Sequence, residues 1–287
     1  MENSFKLNFG KAFLITFIFF VLQFIIGSIY NFMLIYFDYF SNMNLNYFLN
    51  YFLNQGLIIL LSNLSAILII ILIYNKNKNN LKINFEYKNI NYSLLLFIIP
   101  VAFSSQIIGS EIENLISMFF KRSLSFYQPL ITLAKLPGIG GLLASIIIIA
   151  IIPAVIEELF FRGIIQTGLI NKYNVNTGIT LASLLFAIIH INPHVIITIF
   201  LFSMLLGFVY YIYKNIVYNI LIHFSLNFFG VLLMRYDNFR LKGLNTDLSE
   251  TSHVNIYLIL MSLIIIGLFV YFYLIKKVSL DNNKENI

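Results

Sequence analysis

Ionisable and amide side chains occur in three short patterns within apolar stretches of this chain. They are Glu157, Glu158 and Arg162, then Phe186 with His190, then His223 with Asn227. Carboxylates and neutral imidazoles can accept a proton, and an amide NH2 can donate a hydrogen bond but cannot act as a base. These residue types in one place would be equipped for acid–base chemistry.

The alternative is that each group merely holds helices together. An ionisable side chain at the centre of a bilayer costs ~2.5–3.5 kcal/mol on insertion scales. A single His or Asn within a span is accounted for by an interhelical hydrogen bond. Three groups on three different apolar segments favour a shared functional cluster over three unrelated structural pairs.

Helical geometry predicts different roles for the two glutamates. Glu158 and Arg162 are four residues apart, so they can pair on one helix face and lower the cost of burying both charges. Glu157 lies about 100° around the helix from Glu158 and points elsewhere. Glu158 and Arg162 are therefore expected to support the site, and Glu157 is free to act as a base.

The three groups also reach a similar depth. At ~1.5 Å per residue, Glu157 lies ~22 Å from Lys172, and His190 lies ~21 Å from Asn176. Counted from Lys214, His223 and Asn227 lie ~14 and ~20 Å into the next helix. The spacing permits one shared, water-accessible cavity.

Apolar segments that could carry these groups extend along the whole chain. Of its 287 residues, 60% are hydrophobic and only 10% are charged, which is far below the charge of a soluble domain. We predict an all-α, polytopic membrane protein with about eight transmembrane helices in one bundle. The predicted spans are residues 12–36, 57–74, 92–119, 141–170, 177–191, 195–213, 216–233 and 254–275.

The organisation follows from these spans. We interpret 1–287 as a single membrane domain with its motif-bearing core at about 141–234, and we expect the polar tail 276–287 to be disordered. The first span, 12–36, is interpreted as uncleaved. Lys and Arg residues are most frequent in the loops on the side of the N-terminus, which predicts that both termini are cytosolic.

Composition excludes several function classes. The absence of cysteine rules out disulfides, thiolate metal sites and a cysteine nucleophile. The net charge of +6 comes from residues at span ends and not from one patch, so we interpret it as a topology signal and expect no nucleic-acid partner.

Together the three patterns resemble a known family. Glu157-Glu158-x-x-x-Arg162, Phe186-x-x-x-His190 and His223-x-x-x-Asn227, in this order, are similar to the motifs of the CPBP intramembrane proteases. This family includes type II CAAX prenyl endopeptidases and bacterial Abi and bacteriocin-immunity relatives. The resemblance covers about 151–233; before residue 141 it extends only to hydrophobic helices.

The resemblance implies hydrolysis of a peptide bond in a membrane-anchored or lipidated protein or a membrane peptide. It implies that Glu157 and His190 activate water, that His223 and Asn227 stabilise the oxyanion, and that Glu158, Arg162 and Phe186 support them. Glu157, His190 and His223 would also serve as ligands if Zn²⁺ or another divalent metal is present. A metal-free glutamate mechanism would use the same residues, and sequence leaves both open.

Two other functions remain as alternatives. One is a non-catalytic member of the same fold that acts as a membrane scaffold or bacteriocin-immunity protein. The other is a channel or proton-linked transporter, against which the absence of an internal repeat counts.

Residues outside the three motifs receive weaker interpretations. His190 and His194 have the spacing of a zinc-binding helix, but Pro193 lies between them, so His194 is expected in an interfacial loop, as is His253. Glu111 and Glu113 are expected to mark the end of the third span, with a place in the shared cavity as the alternative.

Overall fold

The computed structural model describes the following residues: 4–36, 56–83, 91–123, 126–236, 241–244 and 252–275. The described part is a helical bundle, with no strand in these ranges. The predicted polar tail at 276–287 lies outside the described residues.

Nine helices make up the described bundle. They are α1 (Phe9–Tyr36), α2 (Leu57–Asn77), α3 (Tyr92–Ser117), α4 (Gln128–Ala134), α5 (Gly138–Lys172), α6 (Val175–Ile188), α7 (Ile196–Tyr213), α8 (Ile216–Arg235) and α9 (Ile256–Ile275). Seven of the described helices are long and apolar enough to cross a membrane, which makes the chain a polytopic helical membrane protein, as predicted.

The prediction of about eight spans needs one correction. The fifth predicted span is the helix α6, whose 14 residues give a length of only ~21 Å, against a hydrocarbon core of ~30 Å. It ends where the chain turns before Pro193, which cannot donate a helical hydrogen bond. Helices α6 and α7 therefore form a hairpin whose turn carries His190.

The motif helix α5 is continuous but is not uniformly α-helical. Residues Ile146–Ile151 and Leu159–Gln166 are wound as π-helix. The first π segment ends two residues before Pro153, whose ring excludes an ordinary hydrogen bond to the preceding turn. The second contains Arg162, and π segments frequently occur at functional sites. Because sequence periodicity assumes 3.6 residues per turn, neither segment was predictable from it.

Asparagine side chains define where several helices begin. The Oδ1 atoms of Asn91, Asn174, Asn215 and Asn255 accept hydrogen bonds from backbone N–H groups in the first turns of α3, α6, α8 and α9. Such caps satisfy N–H groups that have no helical partner. At the end of α7, Lys214 adopts a left-handed conformation (φ 52°), so that only two residues connect α7 to α8.

The helices divide between lipid-facing and interior positions. Large exposed apolar side chains are concentrated on α1, α2 and α9, as expected where helices face lipid. One apolar core joins α1 and α2 to α5 and α6, and a second joins α3 to α7, α8 and α9. This arrangement surrounds α5 and encloses its charged residues.

Polar side chains connect α5 to α7 at two successive turns. Arg162 donates to Ser203, and the Nε2 of Gln166 donates to the carbonyl of Gly207 at 2.9 Å. Gly207 allows this approach, because a Cβ there would lie 2.6 Å from the Cγ2 of Ile179 and 2.9 Å from the Oε1 of Gln166. These bonds fix the α5 face that carries Arg162 against the α6–α7 hairpin.

Candidate active site

A buried carboxylate organises the centre of the bundle. Glu158 is fully buried, and its Oε1 accepts a hydrogen bond from the Nδ1–H of His223 at 2.8 Å. The same oxygen lies 3.0 Å from the Nη1 of Arg162, at ion-pair distance but without the alignment of a hydrogen bond. The predicted pairing of Glu158 with Arg162 is therefore observed. The bond from Glu158 to His223 was not predicted, and it joins α5 to α8.

The guanidinium of Arg162 is held from three directions. It is 1% exposed, and its Nη2 donates to the Oγ of Ser203 at 3.1 Å. Its central carbon lies 4.9 Å from the ring centroid of Phe186, within cation–π range. A buried charge of this kind needs both a counter-ion and hydrogen-bond partners, and Glu158 and Ser203 supply them.

Glu157 faces the other side of the same imidazole. Its Oε2 lies 3.9 Å from the Nε2 of His223, and its side chain is 17% exposed. The separation is too long for a direct hydrogen bond, and it is suited to a water that both groups contact. The sequence prediction that the two glutamates point in different directions agrees with this geometry.

His190 lies just beyond the end of α6. Its Nδ1–H donates to the carbonyl of Phe186 at 2.8 Å, so the Nε2 of the neutral ring is left as an acceptor. The next residue, Ile191, has a φ of 56°, which is an outlier for a β-branched residue. Backbone strain of this kind is concentrated at functional sites.

The ring of Phe186 connects the two histidines. Its centroid lies 5.0 Å from that of His190 and 6.0 Å from that of His223, both edge-on. With Arg162 also against this ring, Phe186 contacts a residue from each of the three motifs.

Asn227 lies one turn beyond His223 on α8. It is half-buried, and its side chain makes no hydrogen bond to any described residue. The four-residue spacing puts its amide on the same helix face as His223. The structure thus brings Glu157, Glu158, Arg162 and His223 into contact, connects His190 to them through Phe186, and leaves Asn227 beside them.

The predicted metal ligands do not form a ready three-ligand group. Within the described ranges, no cluster of three or more His, Cys, Asp or Glu side chains is arranged to hold a metal ion. Glu157 and His223 approach each other to 3.9 Å, while His190 packs edge-on against the ring of Phe186. The buried oxygen Oε1 of Glu158 is already occupied by Arg162 and His223. Within these ranges the predicted ligands, as placed, do not form a three-ligand zinc site.

The residues outside the three motifs are positioned as follows. His194 lies in the turn between α6 and α7, as predicted for a loop residue; it is 3% exposed, and its Nε2 contacts the carbonyl of Phe120 at 2.8 Å. His253 is 47% exposed and contacts Glu111 at 2.8 Å, and this pair ties α3 to the segment before α9. Glu113 lines a separate cavity of about 550 Å³ whose lining includes none of the motif residues.

Sequence reasoning missed two residues that support the site. Ser203 and Gln166 were not singled out, although each is a polar side chain inside a span and Gln166 follows Arg162 by four residues. The four-residue spacing was therefore a usable signal for Gln166. For Ser203 the partner lies 41 residues away, and only packing reveals it.

Comparison with known families agrees with the motif pattern. Residues 139–229 match the model of a family described as type II CAAX prenyl endopeptidase Rce1-like. The match confirms the resemblance predicted from the three motifs, and the matched segment spans α5 to α8 and contains every motif residue. No curated protein and no solved structure matches the chain.

Proposed function

We propose that this chain, whose residues 139–229 match the type II CAAX prenyl endopeptidase model, is an intramembrane endopeptidase that uses Glu157 as its general base. The observation that carries the proposal is that His223 lies between two glutamates. Glu158 binds its Nδ1–H at 2.8 Å, and Glu157 faces its Nε2 at 3.9 Å. A purely structural ion pair would need only Glu158 and Arg162.

The first step is attack of water on the scissile carbonyl. Glu157 takes one proton from the water, while the Nε2 of His190 accepts a hydrogen bond from its second O–H. The carbonyl of Phe186 supports this role, because it holds the proton of His190 on Nδ1. The water oxygen bonds to the carbonyl carbon, and the carbonyl oxygen becomes an oxyanion.

His223 and Asn227 are the donors for this oxyanion. In the imidazolium form, His223 gives its Nδ1–H to Glu158 and its Nε2–H to the oxyanion, and the side-chain amide of Asn227 supplies a second donor. With His223 as an imidazolium, the cluster has no net charge, because the charges of Glu157 and Glu158 are cancelled by those of Arg162 and His223. As the intermediate collapses, the C–N bond breaks and the amine takes the proton held by Glu157.

The bundle also suggests the class of substrate. The 550 Å³ cavity between α3, α7 and α9 is largely apolar. Phe202, which lines it, has its ring centroid 6.0 Å from that of His223. An apolar segment or lipid chain in this cavity would lie beside the proposed site, as suits a membrane-anchored or lipidated protein or a membrane peptide.

The direct test is cleavage in proteoliposomes. Purified protein would be reconstituted with a panel of membrane-anchored peptides, some prenylated and some not, and products identified by mass spectrometry. We expect peptide-bond cleavage of at least one class. A scaffold or immunity protein, the second candidate, would bind a panel member without producing any new terminus.

The oxyanion role of Asn227 makes a separate prediction. We expect Asn227→Ala to lower kcat by about 10²–10³ with little change in KM, because the donor acts only on developing charge. Asn227→Asp keeps the shape and removes the NH2, and we expect an equal or larger loss. A loss that appears only in KM would show instead that Asn227 contacts the substrate in its ground state.

The metal question has its own test. Because the predicted ligands do not form a three-ligand group, we expect EDTA and 1,10-phenanthroline to leave the initial rate of cleavage unchanged. A rate that falls on chelation and returns on addition of Zn²⁺ would contradict this expectation.

A further inference from the structure

A second pocket opens at the end of the bundle where α5 ends, α7 ends and α8 begins. It has a volume of about 250 Å³ and is separate from the motif cluster and from the apolar cavity. Its lining side chains are polar or aromatic with one exception, and they come from three segments of the chain. They are Lys82, Gln166, Thr167, Ile170, Asn171, Tyr210, Tyr211 and Lys214.

The charges of this pocket have one sign. Lys82 and Lys214 both line it, no carboxylate is among its lining residues, and neither ammonium forms an ion pair with a described residue. Lys214 lies 4.0 Å from the ring centroid of Tyr211, a contact that holds the ammonium over an aromatic face. Partial burial lowers the pKa of Lys214 from its ordinary value, so a nearby anion would relieve an electrostatic cost.

The remaining polar groups mostly have partners inside the protein. Gln166 donates to Gly207, Thr167 donates to the carbonyl of Arg162, and Asn171 donates to the carbonyl of Phe5. These bonds hold the side chains of Gln166, Thr167 and Asn171 in place. The two ammonium groups are the charged hydrogen-bond donors of the pocket. A ligand that satisfies them must bring acceptors and negative charge.

The position of the pocket at the helix ends indicates that it lies at the level of the lipid headgroups. The backbone N–H of Leu7 donates to the carbonyl of Gly168, so the N-terminal segment packs at this end too. Tyrosines beside lysines at helix ends are characteristic of the headgroup region. Basic pockets between helix ends bind anionic lipid headgroups. The volume is below the ~300–1,000 Å³ of sites for drug-sized ligands, which suits a phosphate with its immediate substituents.

We propose that Lys82 and Lys214 form a binding site for a phosphate group, and that the phosphodiester of an anionic lipid headgroup is the source that the position favours. Free phosphate has the same recognition chemistry. Neither lysine belongs to the proposed catalytic machinery, and the proposal does not depend on protease activity.

The test is a titration by native mass spectrometry of the protein in detergent. The probes are dioctanoyl phosphatidylglycerol, dioctanoyl phosphatidylcholine and inorganic phosphate, each added separately. We expect phosphatidylglycerol to bind more tightly than phosphatidylcholine. Each lysine near a membrane surface contributes about fivefold, so Lys82→Gln and Lys214→Gln should each weaken binding about fivefold, and the double variant roughly 30-fold.

The matched control is Lys172→Gln. Lys172 is an exposed lysine at the same end of the bundle but does not line the pocket, so its loss should leave the affinity near the wild-type value. Melting temperatures of all variants establish that they fold. Tighter binding of the lipid than of inorganic phosphate identifies the headgroup as the ligand, and the reverse order identifies free phosphate.

Three results would overturn the proposal. The first is that the folded double variant binds phosphatidylglycerol as tightly as wild type. The second is that Lys172→Gln weakens binding as much as the pocket variants do, because binding would then follow general surface charge. The third is that neither phosphatidylglycerol nor inorganic phosphate binds the wild-type protein.

Discussion

Glu157→Gln is expected to reduce peptide-bond cleavage by about 10²–10⁴ while leaving the protein folded. The substitution keeps the size of the side chain and removes its capacity to accept a proton. The side chain of Glu157 makes no hydrogen bond within the described part of the chain, and the Nε2 of His223 is 3.9 Å from its Oε2. We therefore expect Glu157 to contribute little to stability. The test is to measure kcat and the melting temperature of wild type and Glu157→Gln.

Glu157→Asp is the matched variant for this prediction. It keeps the carboxylate and withdraws it by one methylene, so we expect activity between those of Glu157→Gln and wild type. Equal activity of Glu157→Gln and wild type would remove Glu157 from the mechanism. A Glu157→Gln protein that is inactive because it is unfolded would show that this carboxylate is structural.

Glu158→Gln is expected to lose both activity and stability. Glu158 is fully buried against Arg162 and holds the Nδ1–H of His223. Removing one partner of a buried pair leaves the other charge uncompensated, which costs about 3–5 kcal/mol. The free energy of unfolding, measured by denaturant titration in mixed micelles, should fall by this order.

A second substitution separates the two effects of Glu158. In the double variant Glu158→Gln/Arg162→Met no unpaired charge remains at this position, so we expect much of the lost stability to return. Cleavage should stay low, because His223 still lacks its carboxylate partner. If the single variant is as stable as wild type, or the double variant is no more stable than the single one, the ion pair does not have the role assigned to it.

Most of the fold could be predicted because apolar run length is a strong signal. Spans such as 57–74 and 216–233 lie within observed helices of nearly the same extent, Leu57–Asn77 and Ile216–Arg235. The short helix Val175–Ile188 was predicted as a span because hydropathy does not measure where a helix stops. The change to π-helix after Glu158 depends on backbone hydrogen bonds that no residue pattern shows.

The site was predictable as a set of residues but not as a set of contacts. The four-residue spacing of Glu158 and Arg162 predicted their pairing correctly, because both belong to one helix. The bond from His223 to Glu158 joins residues 65 positions apart, and it depends on how α8 rotates against α5. The contact between the ring of His194 and the carbonyl of Phe120 likewise joins residues 74 positions apart, and no residue spacing predicts it.

The central claim is that this protein hydrolyses a peptide bond with a water activated by Glu157. The most direct measurement is mass spectrometry of peptide products formed by wild type and Glu157→Gln in proteoliposomes prepared in H₂¹⁸O. We predict that wild type forms a new C-terminal carboxylate carrying one ¹⁸O atom and that Glu157→Gln forms little or none. The account is contradicted if wild type forms no new terminus from any panel member, or if both proteins form the same labelled product at the same rate.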